Sequence, residues 1–258
     1  MKKILALTVA AAALLAGRAS AEDVNDPRYF AVDENSIVIE EIKGEAVPPL
    51  APIGAAAPKL DIGGTIDTLS NIVNLFEKIW NIIEKNQPVV NITTNYANAV
   101  PFGTSHWSQL QGWSRPATKK YSFSMKNGFG SQVVNVVYQL HYTYKGNYQG
   151  KGQFLTGVTV EPISVTTAWG YKVSLVSEVP DSTIANVGTH EDPVAAMQVQ
   201  LKWSVHTAVK DISSKAIYYV QGDGLMEELG TPFKNARDQR EATRLETAGL
   251  QLVNVSFN

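Results

Sequence analysis

Cysteine is absent from the 258 residues. That excludes thiolate catalysis, disulfide frameworks, zinc sites built on Cys and an acylated lipoprotein Cys. A positive excess is missing too: 22 Lys and Arg stand against 24 Asp and Glu. Lys2, Lys3 and Arg18 lie in the first 21 residues, which hold no acid, so the remainder carries 19 cations and 24 acids, a net of −5. A basic field is what holds nucleic acid and anionic membrane surfaces, so neither is an expected partner. Outside residues 1–21, nothing approaches the ~18 apolar residues of a transmembrane helix.

Chemical motifs are equally scarce. No His-Glu-x-x-His or His-x-His pair occurs. Gly103-Thr104-Ser105-His106-Trp107 resembles a nucleophile elbow but lacks the closing glycine. Gly128-Phe129-Gly130-Ser131 is too short for a dinucleotide loop and reads as a hairpin turn. His190-Glu191-Asp192 holds three potential ligands in succession, and neighbours in sequence seldom converge on one ion, so it reads as a polar turn. His141 and His206 fall on polar strand faces, where exposure is the expectation. The chain therefore reads as non-enzymatic, with no catalytic residue, metal ligand or cofactor assigned.

What is present begins with an export signal. Lys2 and Lys3 form a positive start, Ile4 to Leu15 an apolar run, and Ala19-Ser20-Ala21 a small-x-small cleavage site. A run of twelve residues, apolar but for Thr8, is too short to span ~30 Å of hydrocarbon, so residues 1–21 read as a removable signal peptide, bacterial in style. The expected place is the periplasm, the outer surface or the medium. Residues 22–64 form a Pro/Ala-rich leader, largely extended, with Pro48, Pro49, Pro52 and Pro58. The first reading of this stretch is a disordered leader; the second is that 35–43 is a strand pairing with a sheet edge, in its own molecule or a neighbour's.

Residues 65–86 carry the strongest helical spacing. Ile66, Leu69, Val73, Phe76, Trp80 and Ile83 follow a 3-4-3-4-3 pattern, with Ile72, Leu75, Ile79 and Ile82 beside them. The apolar arc of about 200° predicts an amphipathic helix wider than an ordinary surface helix. Leu69, Phe76, Trp80 and Ile83 are its expected interface residues, toward its own domain, next a sister subunit and last a membrane interface, for which its charges are too acidic.

From 87 to 258 the period changes to two. Val134, Val136, Tyr138, Leu140, Tyr142 and Tyr144 alternate with polar residues, as do Ala195, Met197, Val199, Leu201, Trp203 and Val205. The phase flips at Pro162, which marks a bulge or a crossing between sheets. About seven strands fit this region, with an eighth at 250–257 and a short helical tail before it. The expected fold is mainly β: an antiparallel β-sandwich with one N-terminal amphipathic helix and a C-terminal helical tail. An outer-membrane barrel shares the alternation, but the irregular connections near 97–118, 177–193 and 223–248 favour the sandwich.

One loop invites a binding role. Trp107 and Trp113 lie six apart in a polar stretch with Gln109, Gln111 and Arg115. Flat aromatics with polar flanks stack on sugar rings or grip a protein surface, so Trp107, Trp113 and Arg115 are the candidate binding residues. The functional expectation is an exported interaction or structural protein that self-associates or binds a protein or glycan. A membrane-active, pore-forming role is the alternative, and a hydrolase the third.

Overall fold

The computed structural model describes residues 24–44, 66, 68–75, 79–84 and 95–230. They form a two-sheet antiparallel structure. Its elements are α1 (Pro27–Phe30), β1 (Val32–Ile42), β2 (Thr68–Val73), β3 (Ile79–Glu84), β4 (Ala97–Phe102), β5 (Ala117–Asn127) and β6 (Gln132–Tyr148), followed by β7 (Lys151–Thr167), β8 (Lys172–Glu178), β9 (Ala185–Asn186), β10 (Ala195–His206), β11 (Asp211–Gln221) and β12 (Met226–Glu228). The first sheet runs β1-β5-β6-β7-β4-β2; the second runs β12-β11-β10-β8-β3, with β9 on β10.

The alternation puts the apolar set between the sheets. Val134, Val136, Tyr138, Leu140 and Tyr142 from β6 are buried, as are Met197, Val199, Leu201, Trp203 and Val205 from β10. Rings meet across the gap: Phe123 and Trp203 lie 4.7 Å apart, Tyr121 and Tyr218 4.8 Å. Burial of such large rings, with the aliphatic residues around them, favours joining the sheets.

Pro162 stands where its sequence context placed it. Val137 faces Ser164 but Tyr138 faces Pro162, so Ile163 is an extra residue and the faces swap there. Proline lacks the ladder N–H, and a bulge accommodates that loss. The leader strand is real as well: β1 pairs with β5 of the same chain, from Val38↔Ser124 to Ile42↔Lys120.

The helix expected over 65–86 is not what forms. Residues 68–73 and 79–84 are strands, one at the edge of each sheet: β2 on β4, and β3 on β8. Eight of the 22 residues are β-branched, and Asn71, Asn74 and Asn81 are weak helix formers. The 3-4 spacing survives because short apolar runs satisfy both periods, and two open sheet edges decide between them. Residues 1–23, 45–64 and 231–258, where the signal peptide, about half of the leader and the helical tail are expected, lie outside the described residues. Among the described residues no helix is long and apolar enough to cross a membrane.

Candidate functional site at the aromatic end of the sandwich

One end of the sandwich gathers turns from both sheets. Residues 128–131 join β5 to β6, 168–171 carry the chain from β7 to β8, and 207–210 join β10 to β11. α1 lies across all three. It starts because Asp26 caps it, accepting from the Arg28 N–H at 2.9 Å, with Pro27 in the first turn. The Arg28 carbonyl accepts from the Gly128 N–H at 3.0 Å, and the Phe30 carbonyl from the Thr207 hydroxyl at 3.1 Å. The Tyr29 hydroxyl donates to the Trp169 carbonyl at 3.2 Å, and the Tyr171 hydroxyl donates to the Tyr29 carbonyl.

This scaffold holds apolar side chains out to solvent. Trp169 is 70% exposed at the tip of its turn, and Val209 is 61% exposed on the neighbouring one. Phe30 is half-buried, its ring 6.1 Å from that of Trp169 and tilted by 52°. Gly170 adopts φ +79°, and a Cβ there would sit 2.5 Å from the Phe30 ring, so the turn needs glycine. Phe129 is half-buried beneath the Arg28 guanidinium, 4.5 Å from its ring centroid.

Charge around this apolar centre is matched. Arg28 pairs with Asp26 at 2.7 Å, Lys210 pairs with Glu34, and His206 meets Asp211 at 2.9 Å. Hydrogen bonds from Arg28 hold the Asp26 carboxyl below the usual carboxylate range. The site is therefore an aromatic centre with paired polar side chains beside it.

A second polar group is buried rather than presented. On the outer face of the first sheet, Gln139, His141, Thr159 and Glu161 are all under 10% exposed. Gln139 Nε2 donates to Glu161 Oε2 at 3.2 Å, and His141 Nε2 lies 3.7 Å from Glu161 Oε1. The Thr159 hydroxyl donates to the Asn95 carbonyl at 2.8 Å, which brings the chain leading into β4 onto this face. Burial pushes the His141 imidazole down to about 4, so it is neutral at pH 7. Burial also raises the Glu161 carboxyl, against the opposing bond from Gln139. The expectation of an exposed His141 is corrected here: its strand face is polar, but it is covered. His206 is exposed, as its position predicts.

The residues singled out from sequence scatter. Trp113 is half-buried and packs on the core near the far end of β6. Its ring fills the space beside Gly146, where a Cβ would stand 2.2 Å from it. Trp107 opens a single 3-10 turn, Trp107–Gln109, and Arg115 is exposed. Leu69 is half-buried against the core. On β3, Trp80 pairs with Ser177 and Ile83 with Leu175; Phe76 lies outside the described residues. His190 is exposed in its turn, and no cluster of three or more metal-binding side chains occurs among the described residues.

Trp169 was the residue to find. Its signal is a large aromatic between two strands, in Ala168-Trp169-Gly170, where no sheet face exists to bury it. Compared with protein-family models, with curated proteins and with solved structures, the chain matches none.

Proposed function

We propose that the protein is an exported, non-catalytic interaction protein that grips a protein partner with the Trp169 end of its sandwich. One observation carries this reading: a tryptophan 70% exposed on a turn held by the Tyr29 hydroxyl and the Phe30 ring. Tryptophan is seldom so exposed without use, and Trp and Arg dominate the binding energy of protein interfaces. Val209 and Phe30 extend the apolar centre, and the paired charges around it form the kind of rim that surrounds such anchors. The export signal in residues 1–21 supports action outside the inner membrane. The burial of the His141–Glu161 pair supports a structural role for it.

Photo-crosslinking in the producing cell tests this. A p-benzoylphenylalanine replaces Trp169, and separately Ser164, which is exposed on a sheet face. A discrete protein adduct from position 169, absent from 164 and abolished by Val209→Asp, is the expected result. No adduct at 169, or the same adducts from both positions, overturns the reading.

A further inference from the structure

β11 carries an open edge of the second sheet. It pairs with β10 in unbroken register from Ala196↔Gln221 to His206↔Asp211. On its other side β12 covers only Tyr218 to Val220, and the Leu229 N–H reaches the Ile217 carbonyl at 2.9 Å. Gly230 then adopts φ +52°, outside the extended region, and the ladder stops. Among the described residues no strand pairs with the outer side of 211–216, and Asp211, Ser213 and Lys215 are exposed.

Bonds at the far end of β11 fix which way its backbone groups point. The Gly222 N–H bonds the Ala195 carbonyl, on the β10 side, whereas the Gln221 N–H bonds the Leu225 carbonyl, on the outer side. Successive residues of a strand aim their groups to opposite sides, so the odd-numbered residues of β11 point outward. Asp211, Ser213 and Lys215 therefore offer N–H and C=O groups along the edge that no described residue meets.

A second antiparallel strand must bring its own outward groups to these. β11 itself does so about a two-fold axis through Ser213, and its charges match in that register. Asp211 then faces the partner's Lys215, Ser213 the partner's Ser213, and Lys215 the partner's Asp211, each pair exchanging two N–H···O bonds. The register also relieves a local imbalance. Lys215 lies opposite Lys202, whose Nζ is held by Glu178 at 2.7 Å, and among the described residues Lys215 bonds only the Gln200 amide oxygen, at 3.3 Å. Like charges directly opposed are destabilising, and a carboxylate on the free side offsets that. The edge at β1 is unsuited to self-pairing: it holds Asp33, Glu34, Glu40 and Glu41 without a cation, and its ladder is broken.

We propose that two copies join β11 to β11 in this register, fusing their second sheets into one. The paired stretch stops short of Ile217, so Leu229 stays on its own strand. The 207–210 turn lies at the Trp169 end, and the antiparallel union points the two Trp169 ends in opposite directions. The dimer is then a bridge with an aromatic end at each extremity.

Sedimentation equilibrium of the protein at rising concentration tests this, and a monomer–dimer equilibrium is expected. Asp211→Lys and Lys215→Asp each set like charges together twice and weaken the dimer by roughly tenfold or more, and the double variant restores it. Ser213→Pro abolishes the dimer but leaves the thermal midpoint of the dilute monomer in place, since the outward Ser213 N–H takes no part in the β10 ladder. A protein monomeric at every concentration, or a dimer that both reversals and the proline leave unchanged, overturns the proposal. A dimer that the double variant fails to restore overturns the register.

Discussion

The hydroxyls of Tyr138 and Tyr218 meet in the middle of the sandwich, one from each sheet, with both residues at most 1% exposed. Burial pushes both phenols far above their ordinary range, so the pair stays protonated, one donating and one accepting. Two hydroxyls in an apolar core are tolerable because each is the other's partner.

It follows that Tyr218→Phe alone should cost about 1–3 kcal/mol, because it orphans the Tyr138 hydroxyl. Replacing both by Phe should recover most of that loss. A double-mutant cycle by denaturant unfolding checks it, and the sign of the coupling is the readout.

Trp113 and Gly146 form a second pair whose fit is testable. The stretch before β5 is laced to β6 by Gln111 and Asn147, which exchange two backbone bonds of 2.8 Å, and by the Ser114 N–H on the Tyr144 carbonyl at 2.9 Å. Trp113→Ala should destabilise by about 3 kcal/mol, as loss of a packed aromatic does. Gly146→Ala should cost about 1–3 kcal/mol by overpacking the same spot. Urea melts of both variants decide the matter; two unchanged midpoints would show that this loop does not close the sandwich.

The buried histidine sets a pH dependence with a definite sign. His141 holds about 4 when folded and ~6.5 when unfolded, so the unfolded chain binds the proton more tightly. Its contribution is complete above pH ~6.5 and is lost as pH falls toward 4, by on the order of 3 kcal/mol. Glu161, raised in the fold, acts oppositely: its contribution is present below the unfolded carboxylate range and fades as pH rises through the folded value. His141→Gln should therefore flatten the acid limb, and Glu161→Gln should steepen it. Thermal melts from pH 3.5 to 7 separate the two.

At the aromatic end, exposure and support should come apart. Trp169→Ser is expected to leave stability within about 0.5 kcal/mol, since the ring is mostly in water. Tyr171→Phe removes the donor to the buried Tyr29 carbonyl and should cost about 1 kcal/mol. Calorimetry on both variants gives the comparison.

The long strands were legible because their two faces differ so sharply in polarity. β6 and β10 alternate over a dozen residues, interrupted only by Val137 and Ala196, and Pro162 announces its bulge by lacking a donor. The strand at 35–43 was legible only as the second reading, after a disordered leader, because the run Ser36-Ile37-Val38-Ile39 is short and does not show which edge is open to it. Residues 65–86 were misread because an apolar run of mixed period takes the structure its neighbours offer, and the neighbours are not in the local sequence. His141 was misread for a related reason. Alternation tells which side of a sheet a residue faces, but not whether another part of the chain lies over that side. The aromatic end was missed because its rings come from turns, where no period operates.

The order of synthesis gives the aromatic end a particular history. β1 can pair with β5 as soon as Asn127 is made. Tyr171, which bonds Tyr29, comes 142 residues after it, and Thr207, which bonds Phe30, comes 177 residues after it. The aromatic end is thus completed late, although it holds the first two aromatic residues of the chain.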